Sequence, residues 1–140
     1  MKILLAVDGS DYTRKMLDYV GANTALFTAA QSYTVFNARA PLPPRASSAV
    51  GSEVTQDYHA EEAQKAIAPA VAALQAKGLN ADGQWRAGPA GETIADFARN
   101  GGYDMLIMGS HGHGALARLV MGSVASDVLA KCSVPALLIR

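Results

Sequence analysis

Five short strand-like runs, separated by stretches with helical periodicity, constrain the fold of this chain most strongly. The runs cover residues 2–7, 33–38, 80–87, 105–108 and 135–139. Strands that alternate with helices pair in parallel through right-handed crossovers, and apolar runs are typical of strands covered by helices on both faces. The sequence therefore predicts a single α/β domain over residues 1–140. Its sheet is open, five-stranded, parallel and doubly wound (flavodoxin-like), with strand order 3-2-1-4-5 and the least apolar run, 80–87, at an edge.

Helical periodicity predicts three helices that each bury one face against the sheet. The first begins after Ser10, and the other two cover residues 92–100 and 124–131. The residues expected to face the core are Thr13, Leu17, Val20, Thr24, Phe27, Ile94, Phe97, Ala98, Val124 and Val128.

The segment between the second and third strands is predicted to contain a loop and then a long helix. Residues 41–51 hold three prolines and are expected to form the loop. The helix is predicted over residues 53–77. We expect it to bend or break at Pro69, because proline removes one backbone hydrogen bond and crowds the preceding turn.

Composition excludes several classes of function. Twelve basic and twelve acidic residues give a formal net charge of zero, so no overall field favours nucleic acid or a membrane as a partner. No apolar run approaches the ~20 residues that a membrane span requires, and Asp8 cuts the N-terminal run short of a signal-peptide core. A cytoplasmic protein is expected, with the single cysteine, Cys132, as a packed residue rather than a reactive thiol.

A glycine spacing after the fourth strand predicts a phosphate site. Gly109, Gly112 and Gly122 are separated by two and nine residues, and Ser123 follows the last of them. Glycines allow positive φ angles and a close approach of backbone N–H groups to phosphate, although the same residues also serve ordinary turns. Ser123 is predicted to be a helix N-cap, which would present the following N–H groups, those of Val124 and Ala125, to an anion.

The topology predicts that this glycine loop faces the end of the first strand. Ligands of open α/β sheets bind at the carboxyl ends of the strands, where the strand order reverses. Asp8 follows the first strand and Gly109 follows the fourth. The two are therefore expected to lie across one cleft.

The chain resembles the universal stress protein family through motifs near both ends. The residues concerned are AVDGS at 6–10, GSHG at 109–112 and GSV at 122–124. The sequences IADFA at 94–98, YDMLIM at 103–108 and VPALLI at 134–139 also resemble that family. The similarity runs from end to end and implies the adenine nucleotide alpha hydrolase-like variant of the fold.

The resemblance implies an ATP site, because the glycine–serine pattern is similar to that of the ATP-binding branch of the family. It places Asp8 near the ribose and adenine, with Ala6 and Val7 lining that pocket, and it assigns the adenine edge to the backbone of Ala38. Met108 and Gly109 would border the ribose. The phosphates would be surrounded by Ser110, His111, Gly112, Gly122, Ser123, Val124 and Ala125.

Two positions depart from the family pattern. Ala125 stands where a hydroxyl residue is often found, and the second strand ends in Asn37-Ala38-Arg39 where histidine and valine are more usual.

The resemblance also implies a homodimer that pairs the final strands, through the segment that begins at Val134 and ends at Arg140.

Three functions remain open on the sequence. The first is an ATP-binding stress or signalling module in a homodimer, with ATP bound with or without Mg²⁺. The second is a slow Mg²⁺-dependent ATP hydrolase in which Ser10 contacts the metal. The third is an interaction protein that keeps the fold without the nucleotide.

Other motifs are weaker. Gly112, Gly114 and Ala117 match a relaxed dinucleotide fingerprint, but they follow the fourth strand, whereas that fingerprint follows the first. The chain has no Gly-Lys pair for a P-loop. His111 and His113 lack further metal-ligating neighbours in sequence. Ser110 and His111 are sequence neighbours and are not expected to pair as nucleophile and base. Asp8 as a phosphoacceptor would need a better acidic partner than Asp11.

Overall fold

The computed structural model describes residues 1–41, 43–113 and 120–140, with the backbone alone at residues 46, 47 and 50. Strands and helices alternate along the chain. In order they are β1 (Lys2–Ala6), α1 (Asp11–Ala22), β2 (Ser32–Arg39), α2 (Pro44–Ala76), β3 (Asn80–Ala87), α3 (Ala90–Asn100), β4 (Met105–Gly109), α4 (Ser123–Lys131) and β5 (Ala136–Ile139).

The five strands form one parallel sheet in the order β3-β2-β1-β4-β5, which confirms the predicted fold and places β3 at an edge. The central strand is β1. Its last residue, Ala6, lies opposite Phe36 of β2 on one side and Met108 of β4 on the other. The strand order reverses between β1 and β4, so a crevice opens at their carboxyl ends.

The sheet has an apolar core on each face, because successive side chains of a strand point to opposite sides. Ile3, Leu5 and Val7 pack with α1 and α2, whereas Leu4 and Leu106 pack with α3 and α4. Cys132 is half-buried beside the second of these cores, in the packed position expected of it.

Helix α1 is shorter than the periodicity predicted. It ends at Ala22, and its buried residues are Thr13, Met16 and Val20. Thr24 is exposed, and Phe27 reaches the core from beyond the helix. The prediction of one helical face extending to Phe27 is therefore wrong, because the chain leaves the helix before that residue and returns its ring to the same core.

Helix α2 begins well before the predicted start. It runs from Pro44, so the loop predicted over residues 41–51 is wrong for most of its length. A proline fits the first turn of a helix because its missing N–H would have no intrahelical acceptor. The backbone leaves helical geometry at Gly51 (φ 82°, ψ 165°) and not at Pro69. A glycine tolerates that positive φ, and it breaks the helix in place of the proline.

The two shorter helices also differ from their predictions. Helix α3 starts at Ala90, and its Ile94 and Ala98 are buried as expected. In α4 the N-cap is Gly122, with Ser123 inside the helix, so the predicted serine cap is wrong. Val124 is 38% exposed, and the buried residues of α4 are Ala125 and Val128.

None of the helices in the described part of the chain has the length and apolar character that a bilayer span requires.

The two-sided core predicts a large difference between two leucine truncations. Leu106 of β4 is fully buried, whereas Leu26 is 58% exposed. Leu106→Ala should lower the free energy of unfolding by about 2–5 kcal/mol because it leaves a cavity. Leu26→Ala should change it by about 0.5 kcal/mol or less. Urea denaturation of both variants measures the difference, and equal losses would contradict the described packing.

Candidate functional site

A cavity of 370 Å³ lies at the carboxyl ends of β1, β2 and β4, where the strand order reverses. Every residue of the predicted site lines it except Ser110, which is buried. The lining residues are Ala6, Val7, Asp8, Tyr12, Thr13, Asn37, Ala38, Ala90, Ile94, Met108, Gly109, His111, Gly112, His113, Gly122, Ser123, Val124 and Ala125.

The three spaced glycines are required for close packing rather than for a special backbone angle. None of Gly109, Gly112 and Gly122 has a positive φ, so that part of the prediction is wrong. A Cβ at Gly109 would lie 2.6 Å from the Cβ of Tyr12, and one at Gly112 would lie 2.6 Å from Oδ2 of Asp8. These glycines allow the loop after β4 to pack against the end of β1 and the start of α1.

Gly122 joins the start of α4 to the same loop. Its N–H donates a hydrogen bond to the carbonyl oxygen of Ser110 at 2.7 Å. A Cβ on Gly122 would lie 3.2 Å from that oxygen and 3.2 Å from Cα of His111. Backbone atoms cannot move aside as a flexible side chain can. Any larger residue at this position would therefore displace the loop.

Asp8 is held by the first turn of α1. Its Oδ1 accepts hydrogen bonds from the N–H of Ser10 (2.9 Å) and the hydroxyl of Thr13 (3.0 Å). The Thr13 oxygen in turn accepts from the N–H groups of Asp8 and Gly9, at 3.1 and 3.2 Å. Gly9 takes a positive φ of 78°, which allows the sharp turn from β1 into this helix. One carboxylate oxygen is thus fixed, and Oδ2 is directed to the side of the cavity formed by Gly112.

Two histidines join the loop to its surroundings. Nε2 of His113 lies 2.8 Å from the carbonyl oxygen of Asp8, which can only accept, so this nitrogen carries the proton. Nδ1 of His111 lies 2.9 Å from Oγ of Ser110, so these sequence neighbours do pair, contrary to expectation. Ser110 is only 2% exposed and does not line the cavity. It is therefore not placed to act as a nucleophile.

The start of α4 supplies hydrogen-bond donors to the cavity wall. The first intrahelical bond runs from the N–H of Ser126 to the carbonyl of Gly122. The N–H groups of Ser123, Val124 and Ala125 therefore have no acceptor within the helix, and no side chain of the described residues caps them. All three residues line the cavity, where the positive end of the helix dipole favours an anion.

The opposite end of the cavity is mainly apolar. Ala6, Ala38, Met108 and Ile94 belong to or pack against the core beneath it. Asn37 is the polar exception. Its amide donates to the carbonyl of Val7 at 2.7 Å, which ties β2 to the residue preceding Asp8.

The sequence analysis missed six of the lining residues. They are Tyr12, Thr13, Asn37, Ala90, Ile94 and His113. Thr13 could have been found from its position, because the first turn of a helix that follows a strand returns beside the end of that strand. Nothing in the sequence marks Tyr12, whose place depends on its contact with Gly109.

Other predicted chemistry can be placed only in part. The residues that the structure describes contain no group of three side chains suited to a metal ion. Asp11, the acidic partner considered for Asp8, is paired with Arg14 at 2.5 Å. Gly114 and Ala117 of the dinucleotide fingerprint lie outside the described residues.

The fold and this cavity define an α/β protein with a cleft at the switch point of its sheet. A sequence model described as the universal stress protein family matches residues 1–140. The chain belongs to that family, as the sequence motifs indicated.

Some relatives match nearly the whole of this chain. Universal stress protein Slr1230 of Synechocystis is 29% identical over 139 residues, which make up 99% of this chain and 42% of that protein. This chain thus spans less than half the length of that relative. The solved structure of MJ0577 from Methanocaldococcus jannaschii has 26% identity and a TM-score of 0.80, covering 99% of this chain and 94% of the other.

A solved structure with a bound ligand is also similar. The universal stress protein of Archaeoglobus fulgidus in complex with dAMP is 25% identical, with a TM-score of 0.71. The match covers 100% of this chain and 98% of that one.

The Asp8 network predicts that the hydroxyl of Thr13 stabilises the fold. Thr13→Val keeps the shape of the side chain but leaves two N–H groups without their acceptor. It should lower the free energy of unfolding by about 1–3 kcal/mol. Thr13→Ser keeps the hydroxyl and should lose only about 1 kcal/mol, from the methyl group. Chemical denaturation compares the two, and a valine variant as stable as the wild type would show that the network contributes nothing.

Proposed function

We propose that the cavity binds an adenine nucleotide, ATP, and that the protein is a nucleotide-sensing module. One observation carries the proposal. The N-terminus of α4, which no side chain of the described residues caps, and the glycine loop form one wall of a cavity whose other end is apolar. A ligand with a flat apolar part and an anionic tail matches both ends, and the cavity volume lies in the range usual for small-molecule sites.

The adenine would occupy the apolar end. Ala6, Ala38 and Ile94 provide small or aliphatic walls there. Adenine can be read through the backbone of Ala38, which does not require a particular side chain. The alanine that departs from the family pattern at this position is therefore compatible with the proposal.

The ribose and phosphates would follow toward the glycine loop. Oδ2 of Asp8 is positioned to accept from ribose hydroxyls, because Oδ1 is already engaged with Ser10 and Thr13. The N–H groups at the start of α4 would donate to phosphate oxygens. Ala125 contributes its backbone N–H alone, so this phosphate contact lacks the hydroxyl that is often found there.

Magnesium, if it accompanies ATP, would be coordinated mainly by phosphate oxygens and water. The described residues offer no cluster of metal ligands, and Ser10, which would contact the metal in the hydrolase alternative, does not line the cavity. Nothing in the described residues favours a base aligned on an attacking water. The proposed function is therefore binding of ATP rather than its hydrolysis. The proposed location is the cytoplasm, as the sequence analysis expects.

The similar protein from Archaeoglobus fulgidus supports the proposal, because its complex with dAMP shows an adenine nucleotide on a closely related fold.

Calorimetric titration with ATP tests the proposal through Gly122→Val. The branched side chain would be forced against the backbone of the loop and into the phosphate position, so ATP affinity should fall at least about tenfold. Gly21→Val is the matched control, because a Cβ at Gly21 of α1 would meet only the flexible side chain of Lys77. It should bind ATP as the wild type does.

Two results would contradict the proposal. The first is a wild-type protein that shows no heat of binding with ATP and releases no nucleotide on denaturation. The second is a Gly122→Val variant that folds and binds ATP with unchanged affinity. Phosphate release in a single turnover separates the binding module from the slow hydrolase.

We also propose that the protein forms a homodimer through β5 and its flanking residues, from Val134 to Arg140. β5 is an edge strand, so its outer backbone groups face no neighbouring strand of this sheet. Leu137 and Leu138 are only half-buried. An apolar edge of this kind pairs readily with another strand.

Light scattering should give twice the 14.6 kDa mass of one chain. Leu137→Lys, which adds a charge at the edge, should shift the protein toward the mass of a single chain. A wild-type protein with the mass of one chain at all accessible concentrations would contradict the dimer.

A further inference from the structure

We propose that Lys15, held over the ring of Tyr12 beside the glycine loop, binds the outer phosphates of the nucleotide and makes the site prefer ATP to AMP. This inference rests on the proposed nucleotide site and adds to it a residue that determines which adenine nucleotide is retained.

Tyr12 lies beside the loop after β4, on the side of the cavity where the ribose and phosphates would lie. It lines the cavity, and its Cβ packs so closely on Gly109 that no Cβ could be placed there. Its ring centroid is 5.1 Å from that of His111, in the loop after β4. The ring therefore stands beside the proposed phosphate loop and away from the apolar end.

Lys15 lies one helical turn after Tyr12, on the same side of α1. Its Nζ is 4.8 Å from the centroid of the Tyr12 ring, a distance typical of a cation–π contact. Among the described residues, Lys15 forms no ion pair, whereas the adjacent Arg14 is paired with Asp11. Lys15 is exposed. Its ammonium group is thus kept near the cavity without being committed to a carboxylate.

The charges around the cavity explain why this lysine would act on some nucleotides and not on others. The described lining residues include the carboxylate of Asp8 but no lysine or arginine. The first phosphate is joined to the ribose, within reach of the N–H groups of the loop and of α4. The second and third phosphates extend farther and add negative charge that backbone dipoles balance only in part. A flexible lysine is suited to such a target, because its ammonium is a mobile point charge.

The distinguishing experiment is calorimetric titration of wild type and Lys15→Gln with ATP and with AMP, at low and high salt. Lys15→Gln should weaken ATP binding about fivefold and change AMP binding less than about twofold. The loss for ATP should shrink as salt rises, because the interaction is between exposed charges. Lys15→Arg keeps the charge and should retain most of the preference for ATP.

Lys77→Gln is the matched control, because it removes the same charge from an exposed position at the far end of α2. It should leave both affinities unchanged.

Three results would overturn the inference: equal losses for ATP and AMP in Lys15→Gln, no loss for either, or the same loss of ATP affinity in Lys77→Gln. A wild-type protein that binds AMP and ATP equally would also overturn it, while leaving the proposed nucleotide site intact. A wild-type protein that binds neither nucleotide would instead refute the proposed function itself, and this inference with it.

Discussion

The pairing of β1 with a parallel neighbour on each side is the constraint on which the rest of this structure depends. Both faces of β1 are buried, so helices must cover the sheet on both sides. β2 and β4 lie on opposite sides of β1. The carboxyl ends of these three strands therefore cannot all be covered by one connection. The cavity is the consequence of that topology, and Asp8 lies in it because it follows the central strand.

Packing at the glycines converts this crevice into a site with a defined shape. Gly109, Gly112 and Gly122 each lack a side chain where the backbone closely approaches Tyr12, Asp8 or another stretch of backbone, respectively. The loop after β4 can therefore lie against the start of α1 and the start of α4 at once. This arrangement places the first residues of α4 in the cavity wall, and among the described residues no side chain caps their N–H groups.

The sequence predicted the sheet and most of the residues that line the cavity because both depend on short-range signals, namely apolar runs and the motifs around Asp8 and Gly109. It failed where a distant contact decides the structure. The start of α2 at Pro44 could not be predicted from the sequence, because three prolines among polar and small residues usually indicate a loop. The break at Gly51 in place of Pro69, and the position of Tyr12 against Gly109, depend on packing between elements far apart in the chain. The three glycines of the predicted motif do line the cavity, but they avoid clashes there instead of adopting positive φ angles.

The family fold and the cavity together support one proposal, that an adenine nucleotide binds with its phosphates between the glycine loop and α4. Amide chemical shifts during titration of the isotope-labelled protein with ATP test that claim most directly. The amide signals of Gly112, Ser123, Val124 and Ala125 should shift strongly and saturate together. Those of Gly21, near the end of α1, and Gly78, just before β3, should not shift. Shifts confined to other surfaces, or none at saturating ATP, would contradict the account.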